Sequence, residues 1–174
     1  MKTLTHYIQE KLVIKKSKYN YFPQTKEELQ DIINQRIGQE GYEVDLNDID
    51  TSNITDMSMV FEYTNFNGDI SNWDVSNVTN MGIMFYGCAA FNQDLSKWDV
   101  SNVTDMGFMF KECTVFNQDI SKWDVSNVKD MRSMFVWCKS FNQDISNWDV
   151  SNVEDFVNIF YYCSIEEKYK PKFK

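Results

Sequence analysis

The stretch FNQDISKWDVSNV, residues 116–128, recurs almost letter for letter as FNQDLSKWDVSNV at 91–103 and FNQDISNWDVSNV at 141–153. Set out at a period of 25, four units begin at Phe66, Phe91, Phe116 and Phe141. A degenerate unit of 24 residues, Tyr42 to Asn65, precedes them and keeps the frame through TSNITDM and Phe61. A repeat of this length marks a solenoid, in which a unit that cannot bury its apolar face alone buries it against its neighbours. Cys88, Cys113, Cys138 and Cys163 fall at equal steps, which secures the register.

Within a unit the apolar spacing changes. In DISKWDV, Ile120, Trp123 and Val125 sit in a short segment rich in strand formers, which predicts an extended strand. In VKDMRSMFVWC, Met131, Met134, Phe135 and Cys138 stand at i, i+3, i+4 and i+7, which predicts one stripe of a short helix. The Ser, Asn and Asp of VSNV and FNQD suit turns, because their side chains satisfy nearby backbone groups. The expected fold class is therefore an α/β solenoid, a stack of short parallel strands and short helical turns.

The pattern F-N-Q-D-[IL]-S-x-W-D-V-S-N-V-x-x-M-x-x-M-F-x-x-C resembles the BspA-like leucine-rich repeats of 25 residues grouped as DUF285, and the resemblance covers roughly residues 42–165. Such repeats are abundant in mycoplasma and other bacterial surface lipoproteins and occur in gut bacteria and their phages. The resemblance implies a leucine-rich-repeat-like stack and an adhesive or protein-binding role.

The ends of such a stack expose apolar surface and need covering. Residues 1–41 are expected to form an N-terminal helical cap. A first helix is expected around LTHYIQEKL. A second follows Pro23, with Thr25 as N-cap, Glu28 completing a capping box, Leu29, Ile32, Ile33 and Ile37 as the apolar stripe, and Gly38 as its end. The repeat solenoid then spans 42–165, as units 42–65, 66–90, 91–115, 116–140 and 141–165. A basic tail, 166–174, is expected to cover the last unit only partly.

A net charge of −9 in 174 residues argues against nucleic-acid phosphate and anionic membrane surfaces as partners. No apolar run approaches the ~18–20 residues of a membrane span. The start, MKTLTHYIQEKLVIKK, has no uninterrupted apolar segment of signal-peptide type, so the expected location is cytoplasmic, with the cell surface as the alternative.

Chemistry finds little to work with. The one histidine, His6, lies in the cap, and no Gly-rich phosphate loop or nucleophile elbow is present, so an enzyme is not expected. The cysteines read as a ladder of buried reduced thiols ~5 Å apart, which cannot converge on zinc. The columns Asp69, Asp94, Asp119, Asp144 and Asp74, Asp99, Asp124, Asp149 read as turn-capping, solvated carboxylates; calcium is the weaker alternative, and no cofactor is expected.

Comparing units separates scaffold from decoration. The varying letters cluster on the expected helical turn, in columns that include Ile83, Phe108, Ser133 and Asn158, and Gly87, Glu112, Trp137 and Tyr162. Phe108, Val136, Trp137, Tyr161 and Tyr162 are expected to face solvent as exposed aromatic or apolar groups, the kind that dominate protein interfaces. A rival surface is the strand face, where Lys97 and Lys122 vary with Asn72 and Asn147. The function expected is a non-catalytic module of bacterial or phage origin that binds a protein partner. The alternatives are a surface or secreted adhesin and an acidic inhibitor of a nucleic-acid-binding protein.

Overall fold

The repeat's own polar letters hold one unit to the next. In a computed structural model that describes residues 18–173, Asn92, Asn117 and Asn142 each donate their backbone N–H to the side-chain oxygen of the asparagine one unit earlier, at 2.9, 2.9 and 3.0 Å. The Nε2 atoms of Gln93, Gln118 and Gln143 donate to the carbonyls of those same asparagines, at 2.8, 3.0 and 3.0 Å. Asn77, Asn102, Asn127 and Asn152 reach back to the carbonyls of Ser52, Ser76, Ser101 and Ser126. The indoles of Trp73, Trp98, Trp123 and Trp148 donate to Leu46, Ile70, Leu95 and Ile120. This is why FNQDISKWDVSN is written repeatedly: its amides and indole do the joining that a β-ladder would otherwise do.

The expected α/β stack of parallel strands and helical turns is overturned. Among the described residues there is no strand and no sheet; the elements are one α-helix, α1 (Lys26–Glu40), and a 3-10 turn, Glu167–Tyr169. DISKWDVSNV, residues 119–128, is a pair of tight turns, closed by Trp123 N–H to Ile120 at 3.1 Å and Val128 N–H to Val125 at 2.9 Å. VKDMRSMFVWC is not helical either, because Ser133 (φ 53°) and Trp137 (φ 63°) are left-handed. A left-handed residue every fourth position stops an α-helix from propagating. Instead the segment is a run of turns, with Met134 bonded to Met131, Val136 to Ser133 and Cys138 to Phe135.

Between these turns, alternate amides point along the stack. Met106, Phe108, Phe110 and Glu112 donate to Asp130, Arg132, Met134 and Val136 of the next unit, and the same four bonds recur at every junction from Met57 to Tyr161. Just ahead of them Thr104, Lys129 and Glu154 donate backwards to Thr79, Thr104 and Lys129, at 2.8, 2.9 and 2.7 Å, beside a column of isolated parallel bridges through Asp56, Asn80, Asp105, Asp130 and Asp155.

The apolar letters fill the interior. Phe61, Phe85, Phe110, Phe135 and Phe160 stack at 5.5 to 5.8 Å between ring centres. Phe66, Phe91, Phe116 and Phe141 form a second column beside them, at 4.1 to 4.4 Å from the first. Met131, Met134, Phe135 and Cys138 are fully buried, as are their counterparts in the two preceding units.

Thr25 caps α1, its Oγ1 accepting the Glu28 N–H at 3.2 Å, while Glu28 accepts from Gln24, one residue before the cap. The helix does not stop at Gly38. It continues to Glu40, and Gly41, at φ 89°, ends it. Leu29 and Ile33 are buried; Ile32 and Ile37 lie at the margin. Buried Arg36 ties the helix to the first unit through Asp48 Oδ1 at 2.8 Å and the Asp45 carbonyl at 3.0 Å, with Glu40 as a third partner. The expected first helix around LTHYIQEKL, and His6 within it, lie outside the described residues. At the other end, Tyr169 accepts the Ile145 N–H at 3.0 Å and Phe173 stacks on Phe156 at 4.6 Å, so the tail lies across part of the last unit.

The left-handed column carries a stability prediction. Ser133 occupies a conformation that costs a non-glycine residue about 1–2 kcal/mol and that asparagine tolerates best. Ser133→Asn should leave the urea midpoint unchanged or higher, whereas Ser133→Val should cost about 1–2 kcal/mol because a β-branched side chain fits that region worst. A neutral valine variant would mean that the segment is not built of these turns.

Candidate functional site

Asp69, Asp94, Asp119 and Asp144 each accept the N–H of the serine two residues on, at 2.8, 2.8, 2.9 and 3.0 Å. Asp74, Asp99, Asp124 and Asp149 do the same for Ser76, Ser101, Ser126 and Ser151. Hydrogen bonds from the hydroxyl and amide of Ser121 hold the Asp119 carboxyl below its ordinary range, and the Ser126 pair does so for Asp124. The bridge column adds a third set, in which Asp105 and Asp130 accept the N–H of Gly107 and Arg132. The carboxylates thus close turns. Among the described residues no group of three or more His, Cys, Asp or Glu side chains is placed to hold a metal ion.

The cysteines are free. Cys88, Cys113 and Cys138 are buried and donate Sγ–H to the carbonyls of Phe61, Phe85 and Phe110, each at 2.9 Å. Burial pushes the Cys88 thiol up to about 11 and those of Cys113 and Cys138 well above the ordinary thiol range, so none of the three supplies a thiolate near neutrality. Cys163 breaks the pattern of four buried thiols: it is only half-buried, and its contact to Phe141 is 3.8 Å. A thiol reagent should label Cys163 first and the other three only after unfolding. Fast native-state labelling of Cys113 would contradict its place in the core.

The expected binding residues divide into separate places. Trp137 and Tyr162, one unit apart, stack at 4.3 Å, and Tyr161 meets Tyr162 edge-on at 4.3 Å. They are 38, 58 and 55% exposed respectively. Lys139 sits over the Trp137 ring at 5.4 Å. Trp137 (φ 63°) and Tyr162 (φ 54°) are both left-handed, so this aromatic wall stands on backbone that favours glycine. Phe108 is apart from it and only half-buried, flanked by Lys111 and Arg132 at 5.6 Å, and it lines a small cleft of about 140 Å³ with Met59 and Ile83. Val136, expected at the surface, is buried at 6% exposure because its turn directs it inward. Lys97 and Lys122 are exposed in the S-x-W turns, close enough to Asp94 and Asp119 respectively to help hold those carboxyls ionised.

One contributor was missed. Tyr63 is 64% exposed and packs on Tyr86 at 4.7 Å. It shares the column of Gly87, Glu112, Trp137 and Tyr162, and belongs to the degenerate unit, so comparing only the four full units passed over it. A Cβ on Gly87 would lie 2.5 Å from the Tyr63 ring, so the glycine makes room for the tyrosine. Between Tyr63 and Trp137 runs an open groove of about 330 Å³, floored by Gly87, Ala89 and Thr114 and edged by Glu112 and Lys139. Aromatic rings at both ends, small residues beneath and one charge of each sign can hold a polypeptide or other flat polar ligand, but offer no nucleophile and base pair.

Among the described residues no helix is long and apolar enough to cross a membrane. No curated protein and no solved structure matches the chain. A family model described as "Mycoplasma protein of unknown function, DUF285" matches residues 28–136 and, in a second overlapping register, 97–170, which together take in every unit of the stack. With well over half of the chain matched, this protein belongs to the DUF285 family.

Proposed function

We propose that the chain is a non-catalytic module that binds a protein partner through the lateral wall of Trp137, Tyr161 and Tyr162, extended along the groove towards Tyr63. The observation that supports this most is that large exposed aromatics stand at left-handed positions. Each such position costs about 1–2 kcal/mol for a residue other than glycine, and Gly87 shows that the column accepts glycine. Stacking of Trp137 on Tyr162 recovers part of that cost, yet both rings keep much of their surface open to solvent. Strained residues held at a surface are a reason to look for function there. Tyr and Trp are also the residues on which interface energy concentrates.

The test is capture of a partner from host lysate by immobilised protein. Trp137→Ala with Tyr162→Ala should abolish capture, since hot-spot aromatics cost about 2 kcal/mol or more each when truncated, while the urea midpoint stays nearly unchanged. Lys97→Ala with Lys122→Ala should leave capture intact. A partner lost from the lysine variant and kept by the aromatic one would move recognition to the S-x-W turns.

A further inference from the structure

The junctions between units have a polarity that leaves the stack with two different ends. Along the run of turns at each junction the earlier unit gives the N–H groups and the later one the carbonyls: Met131, Ser133, Phe135 and Trp137 donate to Asp155, Val157, Ile159 and Tyr161 at 2.8, 2.9, 2.9 and 3.0 Å. Ahead of this run a bond goes the other way, from Glu154 N–H to the Lys129 carbonyl at 2.7 Å. In the last unit the corresponding donors are Phe156, Asn158, Phe160 and Tyr162, and their amides have no acceptor among the described residues. In the first unit the matching carbonyls, Asp56, Ser58, Val60 and Glu62, likewise accept no bond among the described residues. That first end is covered. Lys26 of α1 donates to Ser58 Oγ at 2.7 Å and pairs with Asp56 at 3.6 Å, and Leu29 and Ile33 are buried in the common core. The last end is covered only in part. The tail reaches Phe156 through Phe173, and beyond it Val157, Tyr161 and Tyr162 are 64, 55 and 58% exposed.

We infer that this donor edge, Asn158 to Tyr162, is a docking surface for a segment of another protein chain folded into the same run of turns. Its alternate carbonyls would lie on the amides of Asn158, Phe160 and Tyr162. An ordinary β-strand does not fit, because each of its edges presents N–H and C=O groups together, and its N–H groups would face N–H groups here. A turn run of the kind at 131–136 turns the carbonyls of Arg132, Met134 and Val136 to one side with no N–H between them, and the four junctions within the stack show that pairing in place. A second copy of this chain is a poor occupant. Its carbonyl row lies beneath α1, and two copies set end to end at their last units would oppose donor to donor. The edge is distinct from the lateral groove, although Tyr162 borders both.

The test is amide hydrogen exchange on the full chain, followed by NMR, with an acetylated and amidated peptide of sequence SNVKDMRSMFVWCKS, that of residues 126–140, as probe. In the free protein the amides of Asn158 and Phe160 should exchange fast while those of Ser133 and Phe135 are protected. At ten times its Kd the peptide should slow Asn158 and Phe160 by about 10-fold, and a peptide of the same composition in scrambled order should not. Trp137→Ala alone, which removes a ring of the lateral wall and leaves the edge residues as they are, should leave this protection in place, so failure of the lateral surface and failure of the edge give different results. Protection that is already high without peptide, absent at about 1 mM peptide, or equal with the scrambled peptide overturns the inference. Protection that grows with protein concentration alone assigns the edge to a second copy instead.

Discussion

Replacing Trp123 by alanine should lower stability by about 3–5 kcal/mol, the usual range for removing a large buried aromatic. Trp123 is 4% exposed and lies between Phe110, at 6.2 Å, and Trp148, at 6.4 Å. Its Nε1 donates to the Leu95 carbonyl at 3.0 Å, which joins one unit to the previous one. That carbonyl keeps the Trp98 N–H at 3.1 Å, so the loss comes chiefly from the cavity rather than from an orphaned acceptor. Trp123→Phe, which retains most of the volume but not the bond, should then cost about 1 kcal/mol for the bond with a smaller addition for the missing atoms. Lys122→Ala, one residue away and exposed, should cost less than ~0.5 kcal/mol. Urea unfolding with unchanged slope is the measurement, and equal losses at 122 and 123 would mean that the inside and outside of this turn are exchanged.

The inside was legible because burial dictates residue type unit after unit. Phe116, Ile120, Trp123, Met131, Met134 and Cys138 could all be placed in the core from the period alone, and all are buried. Local conformation was not legible. A Met-x-x-Met-Phe-x-x-Cys spacing suits a helical stripe, but it suits equally a chain of four-residue turns that returns an inward residue every three or four positions. What distinguishes them is the left-handed residue between, and the column Ile83, Phe108, Ser133, Asn158 contains no glycine to announce it. Likewise Ile120, Trp123 and Val125 look like a strand until Asp119 and Asp124 are seen capping the Ser121 and Ser126 amides, which turns the chain before a ladder can form. At the surface, variation between units pointed to Trp137 and Tyr162, and both are exposed. It misjudged Val136, whose neighbours in the turn decide its direction.

The aromatic column yields a second large effect and a test of how far each unit depends on its neighbours. Phe110 is fully buried, with Phe116 at 4.2 Å, Phe85 at 5.6 Å, Phe135 at 5.8 Å and Trp123 at 6.2 Å from its ring. Phe160 holds the same position in the last unit but is half-buried, with Phe135 at 5.7 Å on one side and the Lys170 ammonium at 5.7 Å. If stability is a sum of unit terms and nearest-neighbour interfaces, an interior residue serves two interfaces and a terminal one serves a single interface. Phe110→Ala should therefore cost about 3–5 kcal/mol, and Phe160→Ala no more than about half of that. The terminal variant should also loosen the last unit without unfolding the rest, seen as faster amide exchange at Ile159 and Tyr161 while Met109 and Met134 stay protected. Equal losses for the two substitutions, or exchange that quickens uniformly along the chain, would show that the stack unfolds as one indivisible block and that its last unit is as firmly held as its middle.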